Sequence, residues 1–131
     1  MARFSGEPEG LSANYSMPSF AKKGETFELV ITLSNTGTTD IEVSDIDLDE
    51  AFDNSILDGS IVLSTDPPME KDYSLSGIKT FKYNRIISPG DTHTVIFNLQ
   101  AVTPGEFGGS IGIYVGDLAK RFDYVGIVIT E

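Results

Sequence analysis

From Thr26 to Gly37 the chain reads TFELVITLSNTG, with Phe27, Leu29, Ile31 and Leu33 at every second position and Glu28, Thr32 and Ser34 between them. Successive side chains of an extended strand point to opposite faces. This spacing therefore builds a strand with one buried face and excludes a helix, whose apolar positions recur every three or four residues. Val30 interrupts the polar set and predicts an outer face that is partly covered. Asn35, Thr36 and Gly37 then stop the strand, because the first two bond nearby backbone and glycine reaches positive φ. Lys22-Lys23-Gly24 supplies the turn in front.

The same grammar recurs along the chain. In TDIEVSDIDL, Ile41 and Val43 share one parity and Ile46 and Leu48 the other, which predicts a β-bulge near Ser44-Asp45. DEAFDNSIL has Phe52 and Ile56 four apart and predicts about one helical turn. SIVLS predicts a short strand ended by Asp66-Pro67-Pro68, and Pro67 to Gly77 has the composition of a long loop. KTFKYNRII is read as one strand with Phe81, Tyr83 and Arg85 on one side. After the turn Ser88-Pro89-Gly90-Asp91, THTVIFNLQAV puts Val95, Phe97 and Leu99 on one face.

In FGGSIGIYVG, Ile111, Ile113 and Val115 point inward, and the small Ser110 and Gly112 allow close packing outside. RFDYVGIVIT has Phe122 and Tyr124 on one parity and Val125, Ile127 and Ile129 on the other, with a second bulge or bend expected at Gly126. Short strands separated by Gly, Pro, Asn and Asp turns predict an all-β, immunoglobulin-like antiparallel β-sandwich of about seven to nine strands. Residues 1–10, rich in Gly, Pro and Glu, are expected to be a loose N-terminal leader, and 11–131 a single sandwich domain.

Composition narrows the partners. With 131 residues and 40% apolar side chains there is enough chain for one core. A formal charge of -11 repels phosphate backbones and anionic lipid headgroups, so nucleic acid is not an expected partner. There is no cysteine, which removes disulfides, thiolate zinc sites and cysteine nucleophiles. No apolar stretch approaches the roughly 18 to 20 residues of a spanning helix, and MARFSGEPEG lacks the apolar run of a signal peptide. The segment is expected to be soluble, without membrane insertion, or to be a piece of a longer exported protein, because GIVITE ends in a strand-like run.

Three motifs carry a resemblance over about residues 20–130: VITLSNTG with Asn35 and Gly37, ISPGDTHTVIFNL with Pro89 and Gly90, and TPGEFGGSIGIYV with Gly105 and Phe107. In this the chain resembles the bacterial and archaeal immunoglobulin-like modules known as CARDB and NEW3, and related S-layer-type repeats. The segment from Asp47 to Ser76 is longer than in those modules. The resemblance implies a non-catalytic structural or protein-interaction module of a cell-envelope or secreted protein, extracellular or in the envelope. Its partner would be another protein or neighbouring domains of a longer chain. It transfers no ligand site residue by residue.

Candidate sites are few. Asp45, Asp47 and Asp49 alternate along one strand, with Glu50 and Asp53 close behind, and are read as a solvated acidic strand that discourages edge pairing. Calcium is the alternative, although the spacing fails the helix-loop-helix calcium pattern at Glu50 and Ile56. His93, the one histidine, opens a strand beside a turn and is read as an exposed structural residue. No nucleophile elbow or phosphate loop is present, so no enzyme and no cofactor are expected. Met69 and Tyr73, on the long 64–79 loop, form the expected interaction surface, with glycan or peptide binding through that loop as the alternative function.

Overall fold

The structure, a computed structural model, describes residues 10–48, 64–73, 79–115 and 119–131. Ten strands lie among them: β1 (Leu11–Ser16), β2 (Phe20–Lys22), β3 (Thr26–Asn35), β4 (Ile41–Leu48), β5 (Ser64–Asp66), β6 (Glu70–Tyr73), β7 (Lys79–Ile87), β8 (Thr92–Gln100), β9 (Gly105–Val115) and β10 (Ala119–Thr130). They form a four-stranded sheet in the order β1-β3-β8-β5 and a six-stranded sheet in the order β2-β10-β9-β4-β7-β6. This is the expected all-β sandwich, with ten described strands rather than seven to nine. The surplus is short: β2, β5 and β6 have three or four residues each, too few for a period of two to register.

The alternation of β3 and β8 does what it predicts. Leu29, Ile31, Leu33, Val95, Phe97 and Leu99 are fully buried, and the two strands pair in register from Thr26↔Gln100 to Ser34↔Thr92. Facing them are Val43, Ile46 and Leu48 of β4, Phe81 and Ile87 of β7, Ile111 and Ile113 of β9, and Ile127 and Ile129 of β10. Phe81 meets Phe97 edge to face across the core, with centroids 4.9 Å apart at 82°.

The bulge expected at Ser44-Asp45 is present, since the register of β4 shifts between Val43 and Asp45 against both neighbours. It has a companion that was not expected. Where β4 advances from Val43 to Asp45, β9 steps from Val115 to Tyr114 while β7 steps from Arg85 to Lys82. The extra residue on β7 is accommodated at Asn84, whose φ is 50°. Phe81 and Tyr83 are therefore buried, Arg85 and Ile86 are exposed, and Ile87 returns to the core. The continuous alternation read for KTFKYNRII breaks there.

A bulge at Gly126, by contrast, is absent. β10 pairs with β9 without a shift from Ala119↔Val115 to Ile129↔Gly105. Tyr124 and Ile127 sit on opposite parities because the aromatic faces outward. The loop expected from Pro67 to Gly77 is also interrupted, since Glu70–Tyr73 forms β6 and pairs with β7. The helical turn expected in DEAFDNSIL and most of SIVLS lie outside the described residues, as does the leader apart from Gly10.

Asn35 closes β3 from inside the molecule, at 1% exposure. Its Oδ1 accepts from Gly37 N at 2.9 Å, and its Nδ2 donates to the carbonyls of Thr39 at 2.7 Å and Ile87 at 2.8 Å. The last bond crosses from the four-stranded to the six-stranded sheet. Its backbone carbonyl also accepts from Gly90 N at 2.8 Å, in the turn where Gly90 takes the expected positive φ of 85°. The side-chain bonding read for Asn35 in NTG is correct, and that side chain ties three segments together. The positive φ expected at Gly37 is absent, because the Asn35 side chain already closes the turn.

Candidate functional site

The acidic strand is not an edge. β4 lies between β9 and β7, with Asp45 opposite Tyr114 and Lys82, and Asp47 opposite Gly112 and Thr80. Both aspartates are half-buried on the outer face, and Tyr114 donates a hydrogen bond to Asp47. The reading of a solvated edge-blocking strand is corrected accordingly: the negative charges face a lysine and a phenol, which permits them in a central strand. Asp49 lies outside the described residues. Among the described residues, no three His, Cys, Asp or Glu side chains gather as a metal site would require.

His93 is half-buried rather than exposed. It occupies the core-facing parity of β8 at the rim of the sandwich, where its Nδ1 lies 2.8 Å from the Tyr83 hydroxyl on β7. The Arg85 guanidinium sits 5.4 Å from the centroid of the same tyrosine ring. Tyr83 and His93 thus join the two sheets through a polar contact at the core margin.

Burial raises the pKa of Tyr83 above 10, with Arg85 opposing it, and burial followed by the nearby Asp47 and Asp45 charges raises Tyr114. A phenol whose folded pKa exceeds its unfolded value stabilises the fold fully below about pH 10 and loses that contribution as pH rises through the folded value. The thermal midpoint is therefore expected to fall more steeply above about pH 10 in the native chain than in Tyr83→Phe, Tyr114→Phe. Parallel profiles for the two proteins would exclude these phenols as the cause.

Of the two loop residues proposed as a contact, Met69 is half-buried and packs against the core, with its N–H donating to Thr65 Oγ1 at 3.0 Å. Tyr73 ends β6, and its side chain lies outside the described residues. The aromatics that stand out are others. Tyr124 of β10 is 72% exposed and Phe20 of β2 is 67% exposed. Register places both on the outer face of the six-stranded sheet, since Phe20 lies beside Val128, which shares the parity of Tyr124.

Between them the sheet surface is made of glycine. Gly126 faces Gly108 across the strand pair, and the Tyr124 ring lies over Gly108, where an added Cβ would come within 2.5 Å of the tyrosine hydroxyl. The close approach on the outside of β9 is seen at Gly108, whereas it was expected at Ser110 and Gly112. Beside the ring is a hollow of about 360 Å³ lined by Ser19, Glu106, Gly108, Tyr124, Gly126, Ile127 and Val128. An aromatic plate, a carboxylate at the rim and a floor without side chains make a surface that accepts a partner's backbone or an apolar face. Sequence reading named Met69 and Tyr73 as the surface and gave Tyr124 no such role. Its opposite parity to Ile127 and Ile129 was the signal that it faces out.

No protein-family model matches the sequence, and no curated relative matches it. Among solved structures the chain is similar to the CARDB domain of a Pyrococcus furiosus protein, solved in complex with di-metal ions, at TM-score 0.58 and 8% identity over 92% of this chain and 92% of that one. AvmM, which catalyses macrocyclisation in alchivemycin A biosynthesis, is similar at TM-score 0.58 and 10% identity over 95% of this chain and 90% of that one. A Salmonella alpha-2-macroglobulin is similar at TM-score 0.59 and 15% identity, over 92% of this chain but only 7% of its own length. Identities this low speak for the fold alone. In fold, the chain is a CARDB-like immunoglobulin module.

Proposed function

We propose that this chain is a non-catalytic protein-interaction module of a cell-envelope or secreted protein, with its contact surface on the outer face of the six-stranded sheet at the β2-β10-β9 end. The observation that carries the reading is Tyr124, 72% exposed and laid over Gly108 beside the hollow. Exposed large aromatics on a rigid sheet are enriched at binding surfaces because they bury much apolar area at little entropic cost. This face is preferred to the 64–79 segment, where Met69 already packs on the core.

Antibody against the chain is expected to label intact cells of its source. Cross-links to other proteins recovered from those cells are expected at Lys22 and Tyr124, and not at Glu28 on the outer face of the other sheet. Labelling only after permeabilisation would overturn the location. Cross-links concentrated at Glu28 would overturn the surface.

A further inference from the structure

We infer that the edge of β10 at Tyr124 and Gly126 receives a β-strand from a partner, an extended segment bearing lysine or arginine, which continues the ladder that β2 begins. This deepens the proposed contact surface and rests on it.

The orientation of the backbone follows from the bonds beside β2. Val128 N–H donates to Ser19 O at 2.9 Å, and Thr130 O accepts from Lys23 N at 2.8 Å, so both residues direct their peptide groups away from β9. Peptide groups alternate sides along a strand, and β10 keeps one register with β9 throughout. Gly126 and Tyr124, two and four residues before Val128, therefore direct their N–H and C=O groups to the same open side. β2 covers only Val128 to Thr130 there, and among the described residues no strand lies beside the rest of β10.

The hollow occupies the place where β2 leaves off, between Ser19 and Tyr124. Gly126 is exposed and presents no side chain to an approaching backbone. Main-chain bonds to such an edge supply affinity in strand addition, and alternate side chains supply specificity. On the outer face those side chains would lie between Tyr124 and Phe20, next to the exposed Glu106. The formal charge of -11 selects a cationic strand and disfavours a second copy of this chain, which would bring the same charge to the same edge.

The test uses the full chain, labelled with nitrogen-15, and three blocked octapeptides: alternating Lys-Val, alternating Glu-Val, and Lys-Val with an N-methyl group on every residue, so that neither edge keeps a ladder N–H. The Lys-Val peptide is expected to slow amide hydrogen exchange at Gly126 and Tyr124 by about tenfold or more, because a new ladder bond must open before exchange. The N-methylated peptide, which keeps the side chains but cannot pair, and the Glu-Val peptide are expected to leave exchange unchanged. Gly126→Pro, placed where the lost N–H does not serve β9, is expected to keep the thermal midpoint and weaken Lys-Val binding by at least about tenfold.

Unchanged exchange with 1 mM Lys-Val peptide, or equal binding of the N-methylated form, would overturn the inference whether or not Gly126→Pro folds. So would protection of these amides that appears only with rising protein concentration, which would make the occupant a second copy. Shifts confined to the Tyr124 ring on adding methyl glucoside would make it a sugar. Failure here with cross-links still at Lys22 and Tyr124 leaves the contact surface standing and removes only the strand.

Discussion

Asn35→Ala is expected to lower the stability of the domain by about 3 kcal/mol, from the cost of leaving buried polar groups unpaired. The side chain is 1% exposed and makes three hydrogen bonds, to Gly37 N, Thr39 O and Ile87 O. Alanine removes all three. The carbonyl of Ile87 bears the largest loss, because Ile87 is itself fully buried and its bond to Asn35 crosses between the sheets.

An unpaired buried group costs about 1–3 kcal/mol, and the part-buried Thr39 and Gly37 groups fall at the low end of that range. Against a shift of about 4 °C per kcal/mol for a chain of this size, the thermal midpoint should drop on the order of 10 °C. Asn35→Asp is expected to be at least as harmful, since a carboxylate would face two carbonyl oxygens with no proton to offer. Urea unfolding of the two variants and of Asn14→Ala, which alters an exposed asparagine of β1, is the measurement. A loss below about 1 kcal/mol for Asn35→Ala would mean that the turn holds without its side chain.

Gly108→Val is expected to cost about 3 kcal/mol through overpacking, and Gly108→Ala somewhat less. An added Cβ would come within 2.7 Å of the Val125 carbonyl oxygen and 2.5 Å of the Tyr124 hydroxyl. The tyrosine, being exposed, can swing away. The carbonyl belongs to the paired strand β10 and moves only if the ladder bends. Tyr124→Ala should therefore recover part of the loss caused by Gly108→Ala, and the part that remains measures the backbone conflict. Full recovery in the double variant would show that the ring alone demands glycine, and no loss in the single variant would show that β9 and β10 are further apart than described.

What could be read from the chain beforehand divides by how local its cause is. The strands at Phe27–Leu33 and Val95–Leu99 were legible because each carries its own period. The bulge at Ser44-Asp45 was legible because apolar parity changes within one strand. Asn84 left a fainter trace: Ile86 and Ile87 are adjacent and only one can face in, which already contradicts a regular strand. β2 and β6 carry no period, and partners fixed by long-range pairing create them. At the candidate site the aspartates were visible as a pattern but their central place in the sheet was not, because strand order is non-local. Gly108 and Gly126 are eighteen positions apart, and only the register of β9 with β10 makes them one floor.

The parallel pairing of β2 with β10 has a mechanical meaning. Tension that enters the chain ahead of Phe20 and leaves it beyond Thr130 would slide these two neighbours past one another along their common axis. The bonds from Val128 to Ser19 and from Lys23 to Thr130 would then share the load and fail together, instead of opening singly as in a hairpin pulled from its free ends. Resistance to such pulling is governed by the rate of unfolding rather than by equilibrium stability. Under such a load the short β2 would act as the latch.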